Sequence, residues 1–392
     1  MLIRKISATG VLLCMLSGAT PAAAADTPED IAPMLEPLRT EFAMPGMVAA
    51  VAKGGRIVAA GAVGVRALGY DQRALTGDRI HIGSDGKAMT ALVAATLVEE
   101  GALSWDTTVG EVLGDRVPGM NPKLAAVRLD QLLSHSSGIP TDTPEMFDFY
   151  LNLDAFDYNT PELRLKALDA WKHNAPVVPE GSPFQYANFG FMIAGTMMEA
   201  VTGKPWELLV QERIFDPLEL ASAGFGPTAT PGRIDGMVGH EIRPDGTVIA
   251  RLWGNAADMP QLLAPAGTVH MSILDFARWA SWVAGGARRG PALVKPETLD
   301  YLLAEKVRTP RRPNPPPGTP AQGGYAMGWS VEKFDWSDRE LSTHNGSNGL
   351  NLAKILVDVE KDLAIVVAVN IGGQNADKAA GQAMEALYSR FR

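Results

Sequence analysis

Apolar positions in this chain fall into two kinds of run. Near both ends they form short continuous blocks. Residues 47–52 and 56–63 are parted by Lys53-Gly54-Gly55, and residues 352–359 and 363–369 by Glu360-Lys361-Asp362. Blocks of that length, bounded by turn residues, read as buried strands, so each pair predicts a β-hairpin. Elsewhere the spacing is helical. Ile31, Met34, Leu35, Leu38 and Phe42 recur at helical intervals across residues 26–42, before Pro45-Gly46 breaks the run. An apolar stretch from 91 to 98 predicts a helix that begins near Ser84 and stops at Gly101. Further helices are predicted at 129–133, at 189–201 (closed by Gly203), at 271–285 and at 375–391. Residues 225–265 read as loops and short strands. The six prolines of 309–324 predict a surface loop, because strand patterns resume after it.

Strands crowd both ends and helices fill the middle, with no internal repeat. The economical fold is an α/β one. Both ends join in an antiparallel sheet flanked by helices, an α/β/α sandwich, and the middle forms a second, mostly helical lobe. In residue terms, 26–105 and 265–392 make the sandwich domain and 106–264 the lobe. A cleft between such lobes is a usual place for a ligand.

Residues 1–25 carry a secretory pattern: Arg4 and Lys5, a short apolar stretch, then Ala23-Ala24-Ala25. They predict a signal peptide cleaved after Ala25 and a protein that is periplasmic or extracellular. The one cysteine, Cys14, falls inside that segment, so the remaining chain has no disulfide framework and no thiol chemistry. Losing Arg4 and Lys5 takes the net charge from −9 to −11. That acidity argues against nucleic acid or an anionic membrane surface as partner. No run after the signal is long and apolar enough for a membrane helix. A small-molecule or peptide substrate and a monomeric state are expected.

The chemistry begins at His81-Ile82-Gly83-Ser84-Asp85-Gly86-Lys87. Ser84 and Lys87 are three apart, so one helical turn puts both on one face. A serine hydroxyl needs a neighbour to take its proton, and a buried lysine of lowered pKa can be that neighbour. The alternative is plain: Ser84 caps the helix and Lys87 is a solvated first-turn residue. Ser-x-x-Lys also arises about once by chance in a chain this long. Lysine is unfavourable at the positive end of a helix, where a cap would prefer Glu or Gln, and Gly83 admits another backbone beside the serine. A second match, Ser330 to Lys333, lies in a predicted strand that would point the two side chains to opposite faces.

Tyr186-Ala187-Asn188 precedes the helix at 189. A tyrosine can move a proton if nearby cations lower its pKa, and an Asn amide can hold a substrate amide or ester. Taken alone, the pair also reads as a packing aromatic beside a turn-forming Asn. Tyr150-Leu151-Asn152 sits among Phe147 and Phe149 and reads as core. His344-Asn345-Gly346-Ser347 approaches the strand at 352; it is either an ordinary turn or a segment whose backbone N–H groups face an oxyanion. The other histidines show no ligand spacing, so each defaults to a structural role and no metal or cofactor is expected. Gly-x-Ser-x-Gly, Walker and Gly-x-Gly-x-x-Gly motifs are absent.

In order, Ser84-x-x-Lys87, Tyr186-x-Asn188 and His344-x-Gly346 resemble the three motifs of the serine β-lactamase and penicillin-binding-protein superfamily, in its class C-like branch. That branch holds class C β-lactamases, D-Ala-D-Ala carboxypeptidases, D-aminopeptidases and class C-type esterases. Leu132 to Gly138, Ala264 to His270 and Tyr325 to Trp329 fit as well, and the likeness spans nearly the whole chain after the signal. The resemblance implies a β-lactamase/transpeptidase-like fold and a serine hydrolase working through an acyl-enzyme. Ser84 would be the acylated nucleophile, Lys87 and Tyr186 would manage its proton, and Asn188 would hold the substrate. His344, Asn345 and Gly346 would line the substrate site. The N–H groups of Ser84 and Ser347 would form the oxyanion hole.

Two departures matter. β-Lactamases of this branch usually carry Lys-Thr-Gly where this chain has His344-Asn345-Gly346. With an ordinary pKa of about 6.5, histidine is mostly neutral at pH 7.5 and charged near pH 6. An ester or a D-amino-acid peptide or amide is therefore the expected substrate, ahead of a β-lactam or a weakly catalytic penicillin-recognising scaffold. Gly86 removes a side chain that often lines the nucleophile helix.

Overall fold

The computed structural model describes residues 27–153, 157–313, 315 and 319–392; the expected signal segment lies outside them. Nine strands form the main sheet. Their order across it is Glu29–Asp30, Arg56–Gly64, Gly46–Lys53, Leu363–Val369, Leu352–Asp358, Leu341–Ser347, Ser330–Glu332, Gly324–Tyr325, Val307–Arg308. All pairings are antiparallel except the short first strand, which runs parallel to its neighbour.

The central strands read as unbroken apolar runs because both sheet faces are covered. Val48, Ala50, Ala52, Ala364, Val366 and Ala368 pack on one side, while Met47, Ala49, Val51, Ile365 and Val367 pack on the other. The helix Ile273–Ala284 covers the first face, and Ala32–Glu41 with Gln374–Phe391 the second. Both predicted hairpins are present, within a residue or two of their expected ends.

A helical layer stands beyond the first face. The helix Lys87–Glu99 is buried all round from Lys87 to Leu97, which marks a helix enclosed by protein on every side. It packs on Asn188–Thr202, Trp206–Val210 and Pro296–Leu303. Gly203 ends the 188–202 helix at φ +70°, and Gly101 follows the nucleophile helix at φ +76°. One feature escaped the sequence pattern. Arg79–His81, Val269–Ser272 and Gly224–Phe225 form a small sheet of their own. Met271 was expected in a helix, yet it lies in the middle strand of that sheet and the helix starts at Ile273. Strands of two to four residues are too short to set up a readable alternation. This small sheet delivers the chain to Ser84.

Candidate active site

Residues Gly83–Gly86 form a single 3₁₀ turn, and the α-helix begins at Lys87. Ser84 lies inside the turn and makes no capping hydrogen bond, which removes the capping alternative. The turn is shaped by two glycines. Gly83 has φ +53°, and a Cβ there would stand 2.4 Å from the Ser347 nitrogen. A Cβ on Gly346 would stand 1.8 Å from the Ile82 oxygen. Only bare backbone lets the strand Leu341–Ser347 lie this close to the serine. Gly86 leaves no hole, since a Cβ there would already meet Val269 at 3.2 Å.

Lys87 is fully buried. Its Nζ lies 3.0 Å from Ser84 Oγ, 2.6 Å from Asn188 Oδ1 and 2.7 Å from the Ala266 oxygen. Burial lowers its pKa to about 7, against the opposing pull of Asp142 and Asp85. A neutral amine has two N–H donors and one lone pair. Asn188 Oδ1 and Ala266 O are both acceptors, so they take the two donors and the lone pair is left for Ser84 Oγ–H. Asn188 presents its oxygen because its Nδ2 donates to Asp142 Oδ2 at 2.6 Å. Asp142 is held in turn by the Tyr150 hydroxyl at 2.8 Å. Burial raises the pKa of Asp142 despite those donors. The order runs inward from loop to nucleophile: Tyr150, Asp142, Asn188, Lys87, Ser84.

Tyr186 completes the group, its ring 4.8 Å from Lys87 Nζ, with Ser84 as the neighbour that opposes the effect of burial on its phenol. Desolvation pushes its phenol above the ordinary tyrosine range. The shift is opposite to the one a phenolate base needs, whereas the lowered pKa of Lys87 is in the direction an amine base needs. His135 fixes this tyrosine. It sits at φ +56°, its carbonyl accepts from Gln185 N at 2.7 Å, and its Nδ1 accepts from Ala187 N at 3.2 Å. Its ring lies 4.1 Å from that of Tyr186.

The third segment departs from expectation. His344 is buried on the nucleophile side of the sheet, where Tyr325 donates its hydroxyl proton to Nε2 at 3.1 Å. Nδ1 stands 3.1 Å from the Asn345 carbonyl and 3.4 Å from Asp85 Oδ1. Desolvation, then the proximity of Lys87, lowers the His344 pKa to about 3. That direction runs against the protonation expected near pH 6. Asn345 is a second correction. Strand alternation turns its side chain to the opposite face, where Lys354 Nζ bonds it at 3.1 Å and Asp377 at 2.7 Å. It does not face Ser84. Ser347 Oγ is engaged in the following turn with Asn351 O and Gly349 N, so its backbone is what remains for chemistry.

Asp85 was not singled out in the sequence, although it is a charged residue inside the motif. It is fully buried, neither carboxyl oxygen has a hydrogen-bond partner, and desolvation raises its pKa well above the carboxylate range. Asp142, Tyr150 and His135 were also missed as site residues. Asp142 lies in a polar loop with no periodic signal, and only the fold brings it to Asn188. The decoy behaves as expected: Ser330 pairs with Thr343 within the sheet, and Lys333 is exposed. Two surface cavities of about 940 and 880 Å³ open elsewhere, and neither is lined by Ser84. Among the described residues, no His, Cys, Asp or Glu cluster could hold a metal ion.

A buried lysine poised on a serine at the head of an enclosed helix defines a class: hydrolases that use serine as nucleophile and lysine as base. The family model for Beta-lactamase matches residues 31–388, and the chain belongs to that family. Penicillin-binding protein 4 of Amycolatopsis lactamdurans is 28% identical over 322 residues, covering 80% of this chain and 77% of that protein. Protein flp of Staphylococcus aureus is 22% identical over 335 residues, covering 86% of this chain; the match spans only 61% of that relative's length. Among solved structures, the octameric penicillin-binding protein homologue from Pyrococcus abyssi has a TM-score of 0.72 at 23% identity, covering 91% of this chain and 76% of that one. D-amino acid amidase from Ochrobactrum anthropi SV3 has a TM-score of 0.71 at 18% identity, covering 92% and 98%. Likeness at these identities establishes the fold. No helix among the described residues is long and apolar enough to cross a membrane.

Proposed function

We propose that this protein is an exported hydrolase that acylates Ser84 with an uncharged ester or a D-amino-acid amide or peptide, then releases the acyl group to water. Lys87, neutral above about pH 7, takes the Oγ proton as Oγ attacks the carbonyl carbon. The carbonyl oxygen gathers charge facing the N–H groups of Ser84 and Ser347. The C–O or C–N bond breaks, and the leaving group collects the proton from Lys87 through the Tyr186 hydroxyl. Asn188 has a second Nδ2–H to offer the acyl donor. Water then repeats the sequence on the acyl-enzyme, with Lys87 again as base.

The observation that carries the substrate reading is the burial of His344, whose Nε2 meets the Tyr325 hydroxyl and not solvent. A β-lactam or a C-terminal peptide brings a carboxylate to the third motif, and this chain meets it with a buried neutral imidazole. The similarity to a D-amino acid amidase and a D-stereospecific amidohydrolase from Streptomyces supports the amide option. Export rests on the pattern of residues 1–25. The test is kcat/KM for p-nitrophenyl butyrate, a D-amino-acid amide and nitrocefin, with mass spectrometry of a fluorophosphonate-treated sample. A Ser84 adduct and a preference for the neutral substrates are expected. Nitrocefin turnover near 10⁶ M⁻¹s⁻¹ would make it a β-lactamase instead, and no adduct would end the acyl-enzyme reading.

A further inference from the structure

The nucleophile turn and the strand beside it are joined by a second buried array that the chemistry above does not use. His81 is three residues before Ser84 and almost fully enclosed. Its Nδ1 accepts the Gly83 N–H at 3.1 Å, which leaves the ring proton on Nε2. Nε2 comes within 2.7 Å of Asp258 Oδ1, with the N–H bent off the line between them. Both side chains are no more than 3% exposed. The same oxygen accepts from Met259 N at 2.7 Å and from Asn348 Nδ2 at 3.3 Å. Asn348 directly follows Ser347, and its own Oδ1 accepts from Leu350 N, Asn351 N and Asn351 Nδ2 at 3.1, 3.0 and 3.1 Å. One carboxylate thus links, through the His81 ring that accepts the Gly83 N–H, the peptide that enters Ser84 with the turn that leaves Ser347. Seven residues beyond Asp258 the same loop reaches Pro265 and Ala266, whose carbonyls hold Thr90 and Lys87.

Burying a histidine and a carboxylate costs desolvation, and a structural link here could have been made by apolar side chains. What a polar link adds is direction. The Gly83 N–H and the Asn348 amide each approach their partner along a set line, so the two backbone segments are fixed in separation and in rotation. We propose that His81, Asp258 and Asn348 are positioning residues that set the distance and aim of the Ser84 and Ser347 N–H groups. The inference rests on the acyl-enzyme reading, in which those groups stabilise the tetrahedral oxyanion. Such donors matter in the transition state more than in the substrate complex. A displacement of about 1 Å costs roughly 10²-fold in rate.

The experiment compares wild type with Asp258→Ala, Asp258→Asn and His81→Phe. It reads kcat and KM for p-nitrophenyl butyrate, affinity for a phenylboronic acid that forms a tetrahedral Ser84 adduct, and Tm. Wild type must first label at Ser84; if it does not, the proposed function fails and not this inference. Expected for Asp258→Ala and His81→Phe is a kcat lower by ~10-fold to ~10²-fold, with boronate affinity falling in parallel and KM changing less than about twofold. Asp258→Asn keeps an acceptor at Oδ1 and should recover most of the loss. A folded Asp258→Ala enzyme of wild-type kcat overturns the proposal. Equal losses of boronate and ester binding, tracking Tm, also overturn it, because they would mark a merely structural link. If Asp258→Ala does not fold, His81→Phe decides by the same split: a kcat and boronate loss at constant KM supports the array, and an unchanged enzyme refutes it.

Discussion

Among the described residues two cations, Lys87 and Arg164, are entirely buried, and their surroundings make opposite use of burial. Arg164 sits in the helix Thr160–Trp171 and donates directly to the carboxylates of Glu199 and Glu207, with further bonds to Leu262 O at 3.1 Å and Gln261 O at 3.3 Å. Lys87 bonds only to neutral partners, Ser84, Asn188 and Ala266. Its carboxylates, Asp142 and Asp85, act at a distance, and Asp142 spends its oxygens on Asn188 and Tyr150. A guanidinium with two carboxylates stays charged and ties helices together. An ammonium that is buried and given no carboxylate to touch has its pKa lowered to about 7, the direction a base requires. Both cations grip the same stretch, residues 261–267, one from each end.

The largest effect should come from removing that distinction. Lys87→Arg places a permanent charge against Ser84, and kcat should fall by roughly 10³-fold or more, with fluorophosphonate labelling of Ser84 lost as well. Ser330→Ala should leave activity unaltered. Near-normal turnover in Lys87→Arg would mean that the base lies elsewhere.

Arg164→Met should do the reverse. It strands Glu199 in the interior and should cost about 3–5 kcal/mol of stability, read as a shift in urea midpoint, while the folded fraction keeps most of its kcat. A stability unchanged by the substitution would break the comparison.

Tyrosine hydroxyls sharpen the picture at a smaller scale. Tyr186→Phe should lower kcat by roughly 10²-fold. Tyr150→Phe, at a residue that reads as mere core in the sequence, removes a donor from buried Asp142 and should cost about 1 kcal/mol of stability with a several-fold loss of kcat. Equal kinetic losses in the two mutants would contradict the order of the chain from Tyr150 to Ser84.

The finest test is pH. If neutral Lys87 is the active form, kcat/KM should fall below about pH 7. Asp142 raises the Lys87 pKa, so Asp142→Asn should move that acid limb to lower pH; movement upward would reverse the assigned sign. His344 stays neutral down to about pH 3, so KM for carboxylate-bearing substrates relative to neutral esters should hold steady between pH 8 and 6.

Read along the chain, the local features were already decisive. Continuous apolar blocks announced the two hairpins because a sheet covered on both faces leaves no polar alternation. Ser84 and Lys87 could be paired because one turn of helix relates them, and the strand around Ser330 ruled itself out by the same periodicity argument. The motifs at Tyr186 and His344 had meaning only as an ordered set. What the chain could not announce was environment. Nothing local distinguishes a histidine that titrates near pH 6 from one at about pH 3; that depends on the Tyr325 hydroxyl, Lys87 and the loss of solvent. Nothing local says that Asn345 turns away from the cleft or that Asp142 and Asp258 reach residues 46 and 90 positions distant. Desolvation and long-range hydrogen bonds are properties of packed neighbours, and those exist only once the sheet and the helical layer have closed around the serine.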